Sequence, residues 1–236
     1  MRRLAVGATL GIALITTTTG SAYAAGGVRQ TASYTFTTTA PGAPTGYQFS
    51  VDFQNPDDPS GKPYSVAEWI IQLPAGTKLD FQALPQCTAS DAAFYLEGAA
   101  ACPAASRIGG GTIITDAGSP AGLPRYGENA VTQFNGDHEY IGYAETQNPP
   151  TRAVSHTTVS GDTLTSPIPT FPGFPSPDPY LAFRTVRLSG PAVLNDGRAG
   201  ARTPPTCPQS GYWTTWLTFV YHDGVSQTVT SDSPCT

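Results

Sequence analysis

The chain has 236 residues and a formal net charge of −5, with 12 Lys and Arg against 17 Asp and Glu, and it is rich in Gly (25) and Pro (23). An acidic chain lacks the basic surface that displaces phosphate counterions, which argues against a nucleic-acid partner. The length suits one domain with a sizeable core, and no basic amphipathic helix points to an anionic membrane surface.

The first residues read MRRLAVGATLGIALITTTTGSAYA. Arg2 and Arg3 give a basic start, Leu4 to Ile15 an apolar run too short to span a bilayer, and Ala22 and Ala24 the small residues of a cleavage site. This pattern predicts a signal peptide at residues 1–24, cleaved after Ala24. The mature chain, 25–236, is then a single exported domain without a transmembrane segment, secreted or held at the cell envelope.

From there the dominant period is two. Residues 31–38 form a first strand, and in 46–54 Tyr47, Phe49, Val51 and Phe53 alternate with Gln48, Ser50 and Asp52, one face to the core and one to water. A third strand covers 65–73, in which Glu68 alternates with Trp69 and takes the solvent face. Residues 89–100 carry the one helical signal, with Ser90 as N-cap of a short helix bearing Phe94, Tyr95 and Leu96. Cys102 to Gly111, CPAASRIGGG, lacks the lysine and helix of a phosphate loop and leads into the β-branched run Thr112 to Thr115; it is read as a stapled turn whose glycines permit a bulge or a close backbone approach. Further strands follow at 129–134, 138–146, 153–159 and 180–188. Between the last two, 166–179 (SPIPTFPGFPSPDP) is expected to be an extended connector, because its prolines cannot donate to a central ladder. In 212–222 Trp213, Leu217, Phe219 and Tyr221 share a face with Thr215, while Tyr212, Thr214, Trp216, Thr218, Val220 and His222 take the other. Asp223-Gly224 then signals a two-residue type I′ hairpin into 225–230. The sum is an all-β, disulfide-stapled β-sandwich, Ig-like or jelly-roll-like, with little helix.

Cys87, Cys102, Cys207 and Cys235 are even in number and lie in the exported part, as disulfides require. Three pairings exist; Cys87–Cys102 with Cys207–Cys235, each closing a local loop, is the one expected, at about 3–4 kcal/mol per bond on the loop-entropy model. No C-x-x-C pair or nearby histidine suggests zinc. The stretches 73-LPAGTKLDFQALPQC-87, 102-CPAASRIGGG-111 and 203-TPPTCPQSGYWTTWLTFVYHDG-224 with Pro234-Cys235 resemble a module of uncharacterised secreted actinobacterial proteins. There, Pro-x-Cys is followed by Cys-Pro-x-x-Ser-x-Ile/Val-Gly and a C-terminal cysteine. The resemblance implies two local disulfides and a β-rich exported domain, and it carries no catalytic residue with it.

For chemistry, the sequence offers no G-x-S-x-G elbow, no EF-hand spacing and no cofactor motif, so no catalytic residue, metal ligand or cofactor is assigned. His138, His156 and His222 are expected as surface or strand-end residues. The oxygen-rich turns at Asn55 to Asp58 and Asn195 to Gly197 are read as turns. The aromatics Tyr126, Phe171, Phe174, Tyr180 and Trp216 are candidates for binding a cell-surface component or another protein. The leading expectation is a noncatalytic binding or structural protein; its rival is a secreted hydrolase with a histidine and a carboxylate at its site.

Overall fold

Strands with one apolar face must pair and then cover that face, and here a single sheet does both by rolling over on itself. The computed structural model describes residues 27–118, 124–147, 150–170 and 180–236. The expected signal peptide lies outside them, as do Phe171 and Phe174. Eleven strands form one antiparallel sheet in the order β1 (Gln30–Phe36), β2 (Tyr47–Phe53), β10 (Ala182–Gly190), β5 (Arg107–Asp116), β6 (Tyr126–Asn135), β7 (Glu139–Gln147), β8 (Pro150–Ser160), β9 (Thr163–Pro167), β3 (Val66–Gln72), β14 (Tyr212–Tyr221) and β15 (Ser226–Pro234). Two short ladders complete the strands: β4 (Lys78–Leu79) with β13 (Ala201–Arg202), and β11 (Leu194–Asn195) with β12 (Arg198–Ala199). The protein is all-β, with one α-helix among the described residues, α1 (Asp91–Glu97), capped by the Ser90 hydroxyl, which accepts from the Ala93 amide.

β1, β2 and β10 lie over β3 and β14, and this makes the sandwich. Phe49 meets Trp69 edge-on with ring centroids 5.6 Å apart, Phe53 meets Phe219 at 5.6 Å, and Phe36 meets Trp213 at 5.8 Å. Val51, Val186, Leu217 and Phe219 are buried between the layers. On β14 the alternation is strict: Trp213, Thr215, Leu217, Phe219 and Tyr221 are buried, whereas Tyr212 and Trp216 are exposed. The strands β5 to β9 run as a five-strand meander that carries the sheet from one layer to the other.

The two edges of the sheet meet. β1 lies along β15 in parallel, and side chains rather than a backbone ladder join them. The Tyr34 N–H donates to Ser231 Oγ (2.9 Å), the same hydroxyl donates to the Tyr34 carbonyl (2.9 Å), and the Phe36 N–H donates to Ser233 Oγ (3.1 Å). At one end of this seam Gln227 Oε1 accepts from the Arg29 amide (3.1 Å); at the other the Thr236 N–H reaches the Thr39 carbonyl (3.0 Å). Closure in this way covers the two terminal edges of the sheet, which could otherwise template another chain. Cys207–Cys235, with Cα atoms 5.6 Å apart, ties the end of β15 to the segment before β14.

A second, smaller core lies on the outer face of β6 to β8. Phe94 of α1 packs on Phe134 and Tyr143, and Cys87–Cys102 (Cα–Cα 5.1 Å) closes the loop that carries the helix. The buried Asn135 side chain holds that loop down by donating to the carbonyls of Phe81 (2.9 Å), Pro85 (3.2 Å) and Leu84 (3.3 Å).

Three local features differ from the sequence reading. The glycines of 109–111 lie inside β5, not in a turn before it, and the register shift between Arg107 and Gly109 puts the bulge at Ile108. They are needed for close approach: a Cβ on Gly110 would fall on the Val131 carbonyl of β6, and one on Gly111 on the Arg187 carbonyl of β10. The connector at 166–179 begins later than expected, because Ser166 and Pro167 close β9, where Ser166 is buried opposite Trp69. Finally, β14 and β15 are joined by four residues, His222-Asp223-Gly224-Val225. The Tyr221 N–H bonds to the Val225 carbonyl (2.9 Å), and only Gly224 has positive φ (84°). The type I′ geometry belongs instead to Asp196-Gly197 (φ 49° and 77°) between β11 and β12.

Candidate functional site

The rolled sheet does not fill its own interior. A cavity of about 120 Å³ lies between the layers, at the end where β1 stops and β2 begins. Aromatic residues from four strands line it: Tyr34 and Phe36 of β1, Tyr47 and Phe49 of β2, Trp69 of β3 and Tyr140 of β7, with Ile71, Leu164 and Leu188 between them. The segment 191–203 roofs this end. It is held by the β4–β13 ladder, by a bridge between Pro44 and Arg202, and by the Arg198–Asp80 ion pair at 2.8 Å. Inward residues of the roof, Pro191, Val193, Gly200 and Ala201, complete the lining, and none of the lining residues carries a charge.

Polar groups in the wall are few and are hydroxyls or amides. Tyr34 and Tyr47 stack with ring centroids 5.8 Å apart and planes 8° from parallel, and the Tyr47 hydroxyl donates to Gln133 Oε1. Thr157 and Ser166 share a hydrogen bond at 2.7 Å. Neither the Tyr34 nor the Tyr140 hydroxyl has a hydrogen-bond partner among the described residues, although Tyr34 is only 8% exposed. Burial and then the neighbouring phenols push Tyr34 and Tyr47 well above the usual 10; burial alone does so for Tyr140. All three are neutral donors at any physiological pH.

His156 is the one histidine that meets carboxylates from separate elements. It lies on the outer face of β8, with Nδ1 at 3.1 Å from Glu139 of β7 and Nε2 at 3.0 Å from Asp91 in the first turn of α1. Both ring nitrogens are therefore occupied by carboxylates, and no hydroxyl bonds to the ring among the described residues. Burial lowers the His156 pKa, but the hydrogen bond that its ring donates to Asp91 and the charge of Glu139 outweigh it and raise the pKa above 6.5. His138 sits exposed in the β6–β7 turn with φ 59°, and His222 sits exposed in the β14–β15 loop, its ring 4.2 Å from that of Tyr180.

The candidate binding aromatics are dispersed. Tyr126 is exposed at the start of β6 beneath the Arg125 guanidinium, and Trp216 is exposed on β14, with four strands between them in the sheet. The oxygens of Asn55 and Asp58 are spent on their own turn, where Asn55 Oδ1 accepts from the amides of Asp57 (3.0 Å) and Asp58 (3.2 Å). No group of three or more His, Cys, Asp or Glu side chains suited to a metal is found among the described residues. No helix among them is long and apolar enough to cross a membrane.

Sequence reasoning placed Tyr34, Tyr47 and Phe49 on strands but did not single them out as a site. The alternation identifies inward residues; which of them border a void depends on how the far strands pack. No protein-family model and no curated protein matches the chain. One solved structure to which it is similar is the major pilin subunit of Bacillus cereus, at 11% identity and a TM-score of 0.26, over 88% of this chain and 40% of that one. The chain thus spans well under half of the length of that subunit.

Proposed function

We propose that the protein is an exported, noncatalytic β-sandwich that acts by binding, outside the cytoplasm or at the cell envelope. The uncharged, aromatic-lined cavity inside the sheet carries this reading: concave, mostly apolar sites with a few convergent polar groups are what small-molecule binding uses. Export is supported by the basic, apolar and Ala-Tyr-Ala pattern of residues 1–24 and by two disulfides, which persist in oxidising compartments. The likeness of 73–87, 102–111 and 203–224 to secreted actinobacterial proteins points the same way. The rival hydrolase reading rests on His156. A general base must keep one nitrogen free for the proton it takes, and here carboxylates hold both.

Cell fractionation with intact-mass analysis tests the reading. The expected species is found in the medium or envelope, lacks residues 1–24 and shows the mass decrement of two disulfides. A full-length, fully reduced protein in the cytoplasm would overturn it.

A further inference from the structure

The unpartnered phenols of the cavity say more about what enters it. A hydroxyl that opens onto a mostly apolar cavity gains from a partner there, and tyrosines in such settings ordinarily find one. Tyr34, a residue only 8% exposed, lines the cavity, as does Tyr140, and neither hydroxyl has a hydrogen-bond partner among the described residues; neither oxygen is fully covered by protein, so both remain open to a partner. Both remain protonated, so each offers a donor. Around them the wall is mainly apolar and aromatic, with the uncharged polar side chains of Thr45, Thr77, Gln133, Asn135, Thr157 and Ser166, and it holds no cation or anion.

We infer that the cavity binds a neutral, mostly apolar small molecule of about phenol size, whose single oxygen accepts hydrogen bonds from Tyr34 and Tyr140. The inference rests on the binding function proposed above and names its ligand class. Size follows from volume: an apolar cavity of about 150 Å³ accommodates benzene, and this one is of similar scale. Neutrality follows from the lining, because an ionised head would be desolvated with nothing to balance it. The apolar body would stack in the cage formed by Tyr47, Phe49 and Trp69.

Three probes of similar size separate the parts of this claim: phenol, toluene and benzoate, titrated while the methyl resonances of Leu164 and Leu188 are followed by NMR. Phenol is expected to shift those methyls saturably and to bind about fivefold tighter than toluene, the difference that a typical hydrogen bond makes. Benzoate is expected not to bind. In the double variant Tyr34→Phe/Tyr140→Phe, toluene should bind as before while the preference for phenol disappears. Retained toluene binding shows that this variant is folded. Absence of saturable shifts with both neutral probes, binding of benzoate as tight as phenol, or a phenol preference that survives the double variant would each overturn the inference. A protein that passes these tests but stays reduced in the cytoplasm overturns the export reading alone.

Discussion

At the scale of single residues, much of the structure's specificity rests on small polar side chains in a mostly apolar interior. Ser231 is the clearest case. Its hydroxyl accepts from the Tyr34 N–H and donates to the Tyr34 carbonyl, both at 2.9 Å, at a position that is 8% exposed. Ser231→Ala removes both partners at once and leaves a buried amide and carbonyl without replacement. The expected loss is about 1–3 kcal/mol, read as a lower urea midpoint at unchanged slope. A midpoint within error of the parent would show that water replaces the hydroxyl at no cost. Asp116 plays a comparable role with charge: it is fully buried and receives both Arg125 and Arg184 at 3.0 Å. None of these roles is legible in the sequence. A serine in a threonine-rich strand and an aspartate after a β-branched run look like ordinary surface residues until the strand that faces them is known.

Elements were more legible than residues. The strict alternation on β2 and β14 announces their inward faces, and Ser90 before an Ala-rich run announces the α1 cap, because each depends on neighbours in sequence. What failed was what depends on a distant chain. The glycines of β5 read as permitting a bulge or a close backbone approach in a turn, yet they lie inside a strand between β6 and β10, and Ser166-Pro167 read as a connector, yet it pairs with β3. The docking of α1 on β7 and β8 is likewise nonlocal, and it has a pH dependence with a definite sign. His156 faces Asp91 from the helix and Glu139 from β7, and its pKa is raised above the ordinary 6.5. A group whose pKa is raised on folding contributes stability that is fully present below its unfolded value and lost as pH rises through its folded value. The stability difference between the parent and His156→Gln should therefore be largest at slightly acid pH and shrink through neutrality. Its size is limited by the 39% exposure of the imidazole, which lets solvent screen both ion pairs. NMR titration of the His156 ring checks the premise: a midpoint at or below 6.5 would remove the basis for this coupling.

For the whole molecule, the governing fact is that one sheet closes on itself through a seam unlike any other pair of strands. Ten ladders join the eleven strands by backbone hydrogen bonds, but β1 and β15 meet in parallel through Ser231, Ser233 and Gln227 side chains. The pattern of the sequence foreshadowed a sandwich, since short alternating strands with turn signals lead there; the seam was hidden because it joins residues 197 apart in the sequence. Side-chain bridges rest on rotamers that can move singly, whereas a ladder opens only cooperatively, so the seam is where the closed sheet should open first. Native-state hydrogen exchange tests this directly. The amides of Tyr34 and Phe36 should exchange through an opening of lower free energy than those of β6 and β7, whose ladders are flanked on both sides. Ser231→Ala/Ser233→Ala should accelerate exchange at Tyr34 and Phe36 by about fivefold or more, the equivalent of one hydrogen bond to each, without a matching change in β6. Reduction of Cys207–Cys235 should act in the same direction, because that bond fixes the end of β15 beside the start of β14. Uniform acceleration across all strands would mean instead that the seam opens only when the whole sheet does. The sandwich would then be a single cooperative unit, and access to its interior cavity would have to come through the 191–203 roof.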